Sequence, residues 1–272
     1  MLAQSLPAVD SIVVLNIATK KYLEYWKQLV QSAEENTVPE DNVHFWLFTD
    51  QPDEAKSLSK QFSNITIEVY EIPSLGWPEA TLLRYEIFLK QVYKSEVGIF
   101  VYLDADMLIT ENPWRTIREK LSISEICFVE HPGYWRPYGS KRVICYLSNP
   151  RLLISDCLLF FKYGALGKWE ERDSSTAYVP RHLRKKYYCG GIWFGRQNAI
   201  RKMIDQLSSN VKVDESRAIM AVWHDESHLN QWAANNEHSD ENPRLCFDET
   251  YLHLTKLDPL IHAVRKKEKD FL

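Results

Sequence analysis

Residues 98–106 read Gly98-Ile99-Phe100-Val101-Tyr102-Leu103-Asp104-Ala105-Asp106, an apolar run that ends in two acidic residues. Such a run is typical of a strand buried on both faces of a parallel sheet. Ligands bind at the carboxyl ends of strands in open α/β sheets, and two carboxylates there can hold a hard divalent cation. The pair alone is a weak signal, because about 0.8 such patterns are expected by chance in a chain of this composition. The apolar segments on both sides strengthen it, since buried charges are costly without compensation. The alternative is a solvated turn at the strand end.

A regular alternation of strands and helices surrounds this run. The apolar patterns predict strands at 11–17, 43–48, 65–70 and 98–103, a loop at 49–52, and helices at 22–35, 79–94, 196–207 and 227–236. The strand at 65–70 alternates with period two and is expected to be half exposed. This order predicts one α/β domain over residues 1–272, with a mostly parallel, Rossmann-like central sheet flanked by helices.

Composition excludes several classes of protein. The 272 residues carry 33 basic and 37 acidic side chains, and 45% of them are hydrophobic, which excludes a disordered chain, a coiled coil and a collagen-like repeat. The net charge of −4 argues against nucleic-acid binding. The five cysteines are widely scattered, as expected for reduced thiols. The first residues lack a basic region and a long apolar stretch, so we expect no secretory signal, and the longest apolar run, 152–161, is too short to span a bilayer. We therefore expect a cytoplasmic protein without a transmembrane anchor.

A second acidic cluster lies in Trp223-His224-Asp225-Glu226-Ser227-His228-Leu229-Asn230. His224 and His228 would share one face of a helix, as in zinc sites, but Glu226 would point about 200° away from the first histidine, which disfavours a zinc hydrolase. A helix that begins at Asp225 or Ser227 would instead place Glu226 in its first turn, where the dipole stabilises an ionised carboxylate. Glycosyl transfer uses such a carboxylate beside an electron-poor carbon. The alternative is a capped surface helix with two ordinary histidines.

Three further segments carry weaker functional signals. Two glycines interrupt the aromatic strand Tyr187-Tyr188-Cys189-Gly190-Gly191-Ile192-Trp193-Phe194-Gly195, which often marks close approach of a ligand or backbone. The segment His131-Pro132-Gly133-Tyr134 offers a histidine and an aromatic ring on a loop. The basic tail at 265–269 could bind phosphate through Arg265, or be a solvated end. Neither a P-loop nor a dinucleotide fingerprint is present.

Taken in order, these segments resemble glycosyltransferase family six, the family of the ABO blood-group and α-1,3-galactosyl transferases. The resemblance covers roughly 12–265, and the block 223–230 is its most specific part. It rests on Lys20-Lys21-Tyr22, Phe48-Thr49-Asp50-Gln51-Pro52, Trp77 with Arg84, Asp104-Ala105-Asp106, His131-Pro132-Gly133-Tyr134, Ala177-Tyr178-Val179-Pro180, Tyr187-Tyr188-Cys189-Gly190-Gly191 and the 223–230 block.

The resemblance implies a GT-A fold and retaining transfer of GalNAc or Gal from a UDP-sugar to the 3-OH of a plain or fucosylated β-galactoside. It makes 11–110 the nucleotide-binding half and 111–272 the half for acceptor and donor sugar. Asp104 and Asp106 would hold Mn²⁺ or Mg²⁺, and Glu226 would be catalytic. A small residue at Gly191 favours GalNAc. The implied donor contacts are Ile17, Tyr22, Arg84, Asp104, Asp106, Cys189, Gly190, Gly191, Asp225 and Arg265, and the acceptor contacts are His131, Trp223 and Glu226.

The chain departs from the family pattern at three places. Glu171 stands where the family has arginine, and Pro259 where it has lysine, so that Lys256 or Lys266 would substitute. An extra segment, about 136–167, could reshape the acceptor site, touch a lipid-linked acceptor or form an additional packed hairpin or helix. Two other functions stay open at this point: a catalytically inactive sugar-binding protein, and a nucleotidyltransferase that makes UDP-sugars, although 11–22 lacks the glycine-rich basic loop that the latter needs.

Overall fold

The computed structural model describes residues 11–96, 98–254 and 256–264. In chain order, the elements are β1 (Ile12–Ile17), α1 (Tyr22–Glu35), β2 (Val43–Thr49), α2 (Pro52–Ser59), β3 (Ile65–Glu71), α3 (Glu79–Leu82), α4 (Arg84–Lys94), β4 (Ile99–Leu103), β5 (Met107–Ile109), α5 (Trp114–Leu121), β6 (Ile126–Glu130), α6 (Ser140–Ser148), α7 (Pro150–Tyr163), β7 (Tyr188–Arg196), α8 (Gln197–Ser216), α9 (His224–Asn235), β8 (Ser239–Glu241) and β9 (Ile261–Ala263). Short 3₁₀ turns lie at Pro39–Asp41, Arg181–Leu183, Pro243–Leu245 and Leu252–Leu254.

Seven strands form one sheet in the order β3-β2-β1-β4-β7-β6-β8. The first four are parallel, and β7 then runs antiparallel to both β4 and β6. β5 and β9 form a separate antiparallel pair. The predicted, mostly parallel α/β fold is thus confirmed, and the sheet takes strands from both halves of the chain. Antiparallel β7 brings its amino-terminal end to the carboxyl end of β4, next to Asp104.

Helices cover both faces of the sheet. β1 and β4 are buried almost throughout, as their continuous apolar sequences predict, whereas β3 at the sheet edge is partly exposed. α1 places Leu23, Trp26 and Leu29 against one face. The other face packs against α4, α8 and α9, where Trp46 joins Phe88 and Phe100. Trp26 and Trp46 are thus part of the core, one on each face of the sheet.

Three predicted boundaries were wrong. The helix predicted at 79–94 is divided into α3 and α4, with Leu83 between them. The loop predicted at 49–52 is limited to Asp50 and Gln51, because β2 extends to Thr49 and α2 begins at Pro52, a residue that fits the first position of a helix. α9 begins at His224, three residues before the predicted start at 227. Ser227 lies inside its first turn, where its Oγ accepts from the Trp223 N–H at 2.9 Å.

The extra segment forms α6 and α7, which are bent by 111° at their junction. Among the described residues, no single helix has both the length and the apolar character needed to cross a membrane.

Candidate active site

Arg84 organises the polar cluster at the carboxyl end of β4. It is the first residue of α4 and is only 5% exposed. Its Nη1 lies 3.0 Å from Asp225 Oδ2 and donates at 3.0 Å to the carbonyl of Gly190, while its Nη2 lies 3.5 Å from Asp104 Oδ1. The guanidinium also lies 4.5 Å from the ring centroid of Tyr102. One buried cation therefore ties together the ends of three elements, β4, β7 and α9.

Asp104 is held from the strand that precedes it. The Tyr102 hydroxyl donates to Asp104 Oδ1, and the Asp104 N–H donates to the Gly191 carbonyl at 2.9 Å. The Asp106 carbonyl accepts from the N–H of Val264 at 2.8 Å. Tyr102 was missed by sequence reasoning, although its position two residues before Asp104 on a strand could have indicated it.

The paired glycines let β7 approach the acidic residues closely. The Gly190 N–H donates to Glu226 Oε2 at 2.8 Å. A Cβ at Gly190 would lie 3.0 Å from the Glu226 Cβ, and a Cβ at Gly191 would lie 2.8 Å from Asp104 Oδ2. The space that Gly191 leaves is thus beside the Asp104 carboxylate. The inference from the paired glycines of a close approach is confirmed.

α9 is fastened to β7 by Asn230. Its Oδ1 accepts from the Tyr188 N–H at 2.8 Å, and its Nδ2 donates to the Tyr188 carbonyl at the same distance. The Tyr85 hydroxyl donates to the Asp225 carbonyl at 3.2 Å. These bonds position the first turn of α9, which carries Asp225 and Glu226. The role of Asn230 depends on its long-range partner, so local sequence patterns could not indicate it.

Burial controls the protonation of the two carboxyls in that turn. It raises the pKa of Asp225 to about 7, even though the Arg84 guanidinium opposes the effect. It also raises the pKa of Glu226 to about 7, against the opposing hydrogen bond from Gly190. Asp104 adds to both increases by repulsion between like charges. The expectation that the helix dipole would dominate and favour the ionised forms was therefore wrong.

An aromatic face adjoins the Glu226 side of the cluster. The His131 ring lies 4.8 Å from the ring of Tyr134 and 6.0 Å from that of Tyr187. His131 Nδ1 accepts from the Gly133 N–H at 3.0 Å, and burial lowers the pKa of His131 to about 4. His131 is therefore neutral at physiological pH. Its predicted contact with an acceptor stays a prediction.

Two exposed tryptophans lie beside α9. Trp223 is 41% exposed, and the Lys168 Nζ lies 5.0 Å from its ring. Trp77 is 76% exposed and packs edge-on against His224 at 4.8 Å. His228, in contrast, is buried 3.8 Å from Asp214. The two histidines therefore have different surroundings, and the described residues contain no group of three or more His, Cys, Asp or Glu side chains suited to a metal.

The remaining predicted donor residues lie at the ends of β1 and β7 and in the tail. Ile17 ends β1 and Tyr22 begins α1, and the loop between them is held by the Lys20 N–H, which donates to Asp50 at 3.1 Å. The Cys189 side chain is buried in the core, with its Sγ 3.0 Å from Cys246 Sγ. Arg265 lies outside the described residues. The donor contacts of these residues stay predictions.

The donor set at Asp104 and Asp106 fits a hard divalent cation shared with a substrate. Carboxylate oxygens are the ligands of Mg²⁺ in such sites, where one or two carboxylates and substrate phosphates together complete the coordination. Because Gly191 has no side chain, the space beside Asp104 Oδ2 stays open. The residues present therefore suit a metal that is bound together with a diphosphate.

The fold, with its polar cluster at the carboxyl end of β4, defines a GT-A-like α/β protein. The sequence model of Glycosyltransferase family 6 matches residues 5–135 and 160–272, and the chain belongs to this family. The resemblance seen in the sequence motifs is thus confirmed. The family is, by its name, one of glycosyltransferases.

Several relatives are similar to most of the chain. The chain is 27% identical over 222 residues to Histo-blood group ABO system transferase 1 of Rattus norvegicus, which covers 79% of this chain and 54% of the relative. It is 26% identical over 247 residues to Globoside alpha-1,3-N-acetylgalactosaminyltransferase 1 of Homo sapiens, and the match covers 88% of this chain and 61% of the relative. It is 25% identical over 228 residues to the O-antigen biosynthesis glycosyltransferase WbnI of Escherichia coli, covering 83% of each chain. The chain thus spans little more than half the length of the rat relative.

Proposed function

We propose that this protein is a retaining α-1,3-glycosyltransferase that transfers GalNAc or Gal from a UDP-sugar to the 3-OH of a plain or fucosylated β-galactoside. The observation that carries the proposal is the buried contact network of Arg84, Asp225, Gly190 and Glu226 beside Asp104. It presents a fixed carboxylate next to the residues suited to a metal-bound diphosphate. One route to retention of configuration uses a carboxylate at the sugar's anomeric carbon.

Glu226 is the proposed catalytic residue. The Gly190 N–H fixes one of its carboxylate oxygens at 2.8 Å, so the side chain needs little reorganisation before it acts. In its ionised form it attacks the anomeric carbon as the bond to UDP breaks, and the acceptor 3-OH then displaces it from the sugar. Alternatively, it stabilises the positive charge that develops there while the acceptor attacks from the face that UDP leaves. Each route retains the configuration. Because its pKa is about 7, activity is expected to rise with pH as this group ionises.

Arg84 and Asp225 position the donor. Arg84 holds Asp225 and Asp104 at fixed places, and we assign to it the contact with the diphosphate and to Asp225 the contact with the donor sugar. Asp104 and Asp106 would hold a divalent cation, Mn²⁺ or Mg²⁺, which would supply neutralisation of charge on the UDP leaving group. Ile17 and Tyr22 are assigned to the uridine, and His131 and Trp223 to the acceptor. A cytoplasmic location is part of this proposal, supported by five cysteines that are all free.

A UDP-release assay tests the proposal. The protein is incubated with Mn²⁺, with UDP-GalNAc or UDP-Gal, and with plain or fucosylated galactosides. We expect release with one donor–acceptor pair at least, loss of release in EDTA, and the larger rate with UDP-GalNAc, as the small Gly191 favours. Glu226→Gln serves as the inactive variant, and Glu215→Gln, at an exposed position on α8, serves as the matched control.

Two outcomes would contradict parts of the proposal. UDP release by the wild type that stays at the Glu226→Gln level with every pair rejects it. Full activity of the wild type in EDTA rejects the metal part alone.

A further inference from the structure

Residues 136–159 are the part of the middle of the chain that the family's sequence model leaves unmatched. They form α6 and most of α7, two helices joined at Asn149 and bent by 111°. Their sequence is therefore a feature of this chain beyond the shared glycosyltransferase framework.

Both helices turn apolar side chains outward. On α6, Val143, Ile144 and Leu147 are more than half exposed, with Leu147 at 77%. On α7, the exposed fraction is 60% for Ile154, 65% for Leu158 and 88% for Phe161. The positions 154, 158 and 161 are spaced i, i+4 and i+7, so they form one stripe along the helix. Contiguous exposed apolar surface of this kind marks an interaction site rather than an ordinary surface.

The one acidic residue of the two helices, Asp156 on α7, is buried. Asp156 is 2% exposed, and its carboxylate pairs in a bidentate manner with the buried Arg136 at 2.6 and 2.7 Å. The Tyr146 hydroxyl from α6 donates to the same carboxylate at 2.8 Å. Loss of either buried partner would leave an uncompensated charge, so this contact strongly fixes the rotation of α7. The outward direction of the apolar stripe is thus set by the fold.

The charged side chains that α6 and α7 themselves turn to solvent are all positive. Residues 140–163 contain Lys141, Arg142, Arg151 and Lys162, while their one acid, Asp156, is buried. A helix pair with an apolar face, bordering cations and no exposed acid has the chemistry of an element that lies in the interface of an anionic membrane. A second copy of this chain would bring like charges together at a symmetric interface, which disfavours self-association.

We propose that α6 and α7 form a docking surface for an anionic phospholipid membrane. The apolar stripe enters the interface between headgroups and acyl chains, and the four cations contact the headgroups. Arg136 also donates to the Gly133 carbonyl at 3.0 Å, so the docking surface is attached to the loop that carries His131 and Tyr134. Docking therefore places the aromatic face of the active site close to the membrane. This proposal concerns where the enzyme works and holds for any donor or acceptor.

Vesicle co-sedimentation of the full chain tests the proposal. Vesicles of phosphatidylcholine alone are compared with vesicles that contain about 30% phosphatidylglycerol. We expect binding to the anionic vesicles to be about tenfold stronger, and to weaken as salt screens the charges. Leu147→Ser with Phe161→Ser should lower binding to anionic vesicles about tenfold. Lys141→Gln with Lys162→Gln should lower it on anionic vesicles but leave the weak binding to phosphatidylcholine unchanged.

A matched control and two contrary outcomes complete the test. Ile123→Ser removes an apolar side chain that is 78% exposed outside the helix pair, and it should bind like the wild type. All substitutions are at exposed positions, and equal melting temperatures verify that each variant is folded. Wild-type binding by the Leu147/Phe161 variant overturns the proposal. The proposal is also overturned if the wild type is a dimer, the Leu147/Phe161 variant is a monomer, and neither protein binds vesicles.

Discussion

The raised pKa of Glu226 predicts that removing its charge stabilises the protein while abolishing its activity. Glu226→Gln keeps the shape of the side chain, and the Gln carbonyl can still accept from the Gly190 N–H. Burial raises the pKa of the acid from 4.5 to about 7. At 1.36 kcal/mol for each factor of ten in proton affinity, this difference amounts to about 3 kcal/mol.

The sign follows from proton linkage. The folded state holds the Glu226 proton more tightly than the unfolded state does, so the wild type is favoured at acid pH and loses this stability as the pH rises from about 4.5 to about 7. The Gln variant does not titrate. The free energy of unfolding of the variant, relative to that of the wild type, is therefore expected to increase through this pH range. Above pH 7 the variant should be more stable by up to about 3 kcal/mol.

Urea unfolding of both proteins in metal-free buffer, from about pH 5 to pH 8.5, measures this difference. Comparison of the variant with the wild type at each pH cancels the contributions of groups that do not interact with Glu226, such as the buried His131. Asp225, whose pKa the Glu226 charge helps to raise, adds to the difference in the same direction. Glu215→Gln, at an exposed site, should show no such pH dependence. A difference that is constant with pH, or a Gln variant that is less stable than the wild type at pH 8, would refute the reasoning.

Three further substitutions probe the same cluster. Asp104→Asn should slow UDP release more than about 100-fold, or about 2.7 kcal/mol of barrier, and activity close to wild type would contradict its role. Gly191→Ala places a Cβ 2.8 Å from Asp104 Oδ2 and should reduce activity sharply in the same assay, whereas Gly76→Ala, with Lys20 Nζ at 3.8 Å, should retain it. Arg84→Met leaves buried Asp225 without its cation and should lower the urea-derived free energy of unfolding by about 3–5 kcal/mol; an unchanged value would show that the pair is not needed for stability.

The sequence predicted most of the central sheet because its strands are continuous apolar runs. The apolar run before Asp104 predicted β4. The family motifs pointed to Asp104, Asp225 and Glu226, which the structure brings together. Boundaries were harder where local signals compete. α9 starts after Trp223, whose side chain makes no capping hydrogen bond, and His224 has a left-handed backbone; residue patterns reveal neither feature.

The protonation of the site could not be predicted from local sequence. A carboxylate in the first turn of a helix is expected to ionise easily, but in α9 the burial of Asp225 and Glu226 reverses that expectation. Burial arises from β7 and α4, which are distant in sequence. Likewise, the exposure of the 143–161 apolar residues follows from the contact of Asp156 with Arg136, and the apolar run alone was equally suited to a packed hairpin.

The configuration of the product tests the central claim most directly. The protein is incubated with the UDP-sugar and galactoside that give UDP release, and the product is analysed by NMR spectroscopy for its anomeric configuration and the position of its new linkage. We predict an α-linked sugar on the 3-OH of the galactoside, which is absent when Glu226→Gln replaces the wild type. A β-linked product, or an α-linked product made equally well by the Gln variant, would contradict the account.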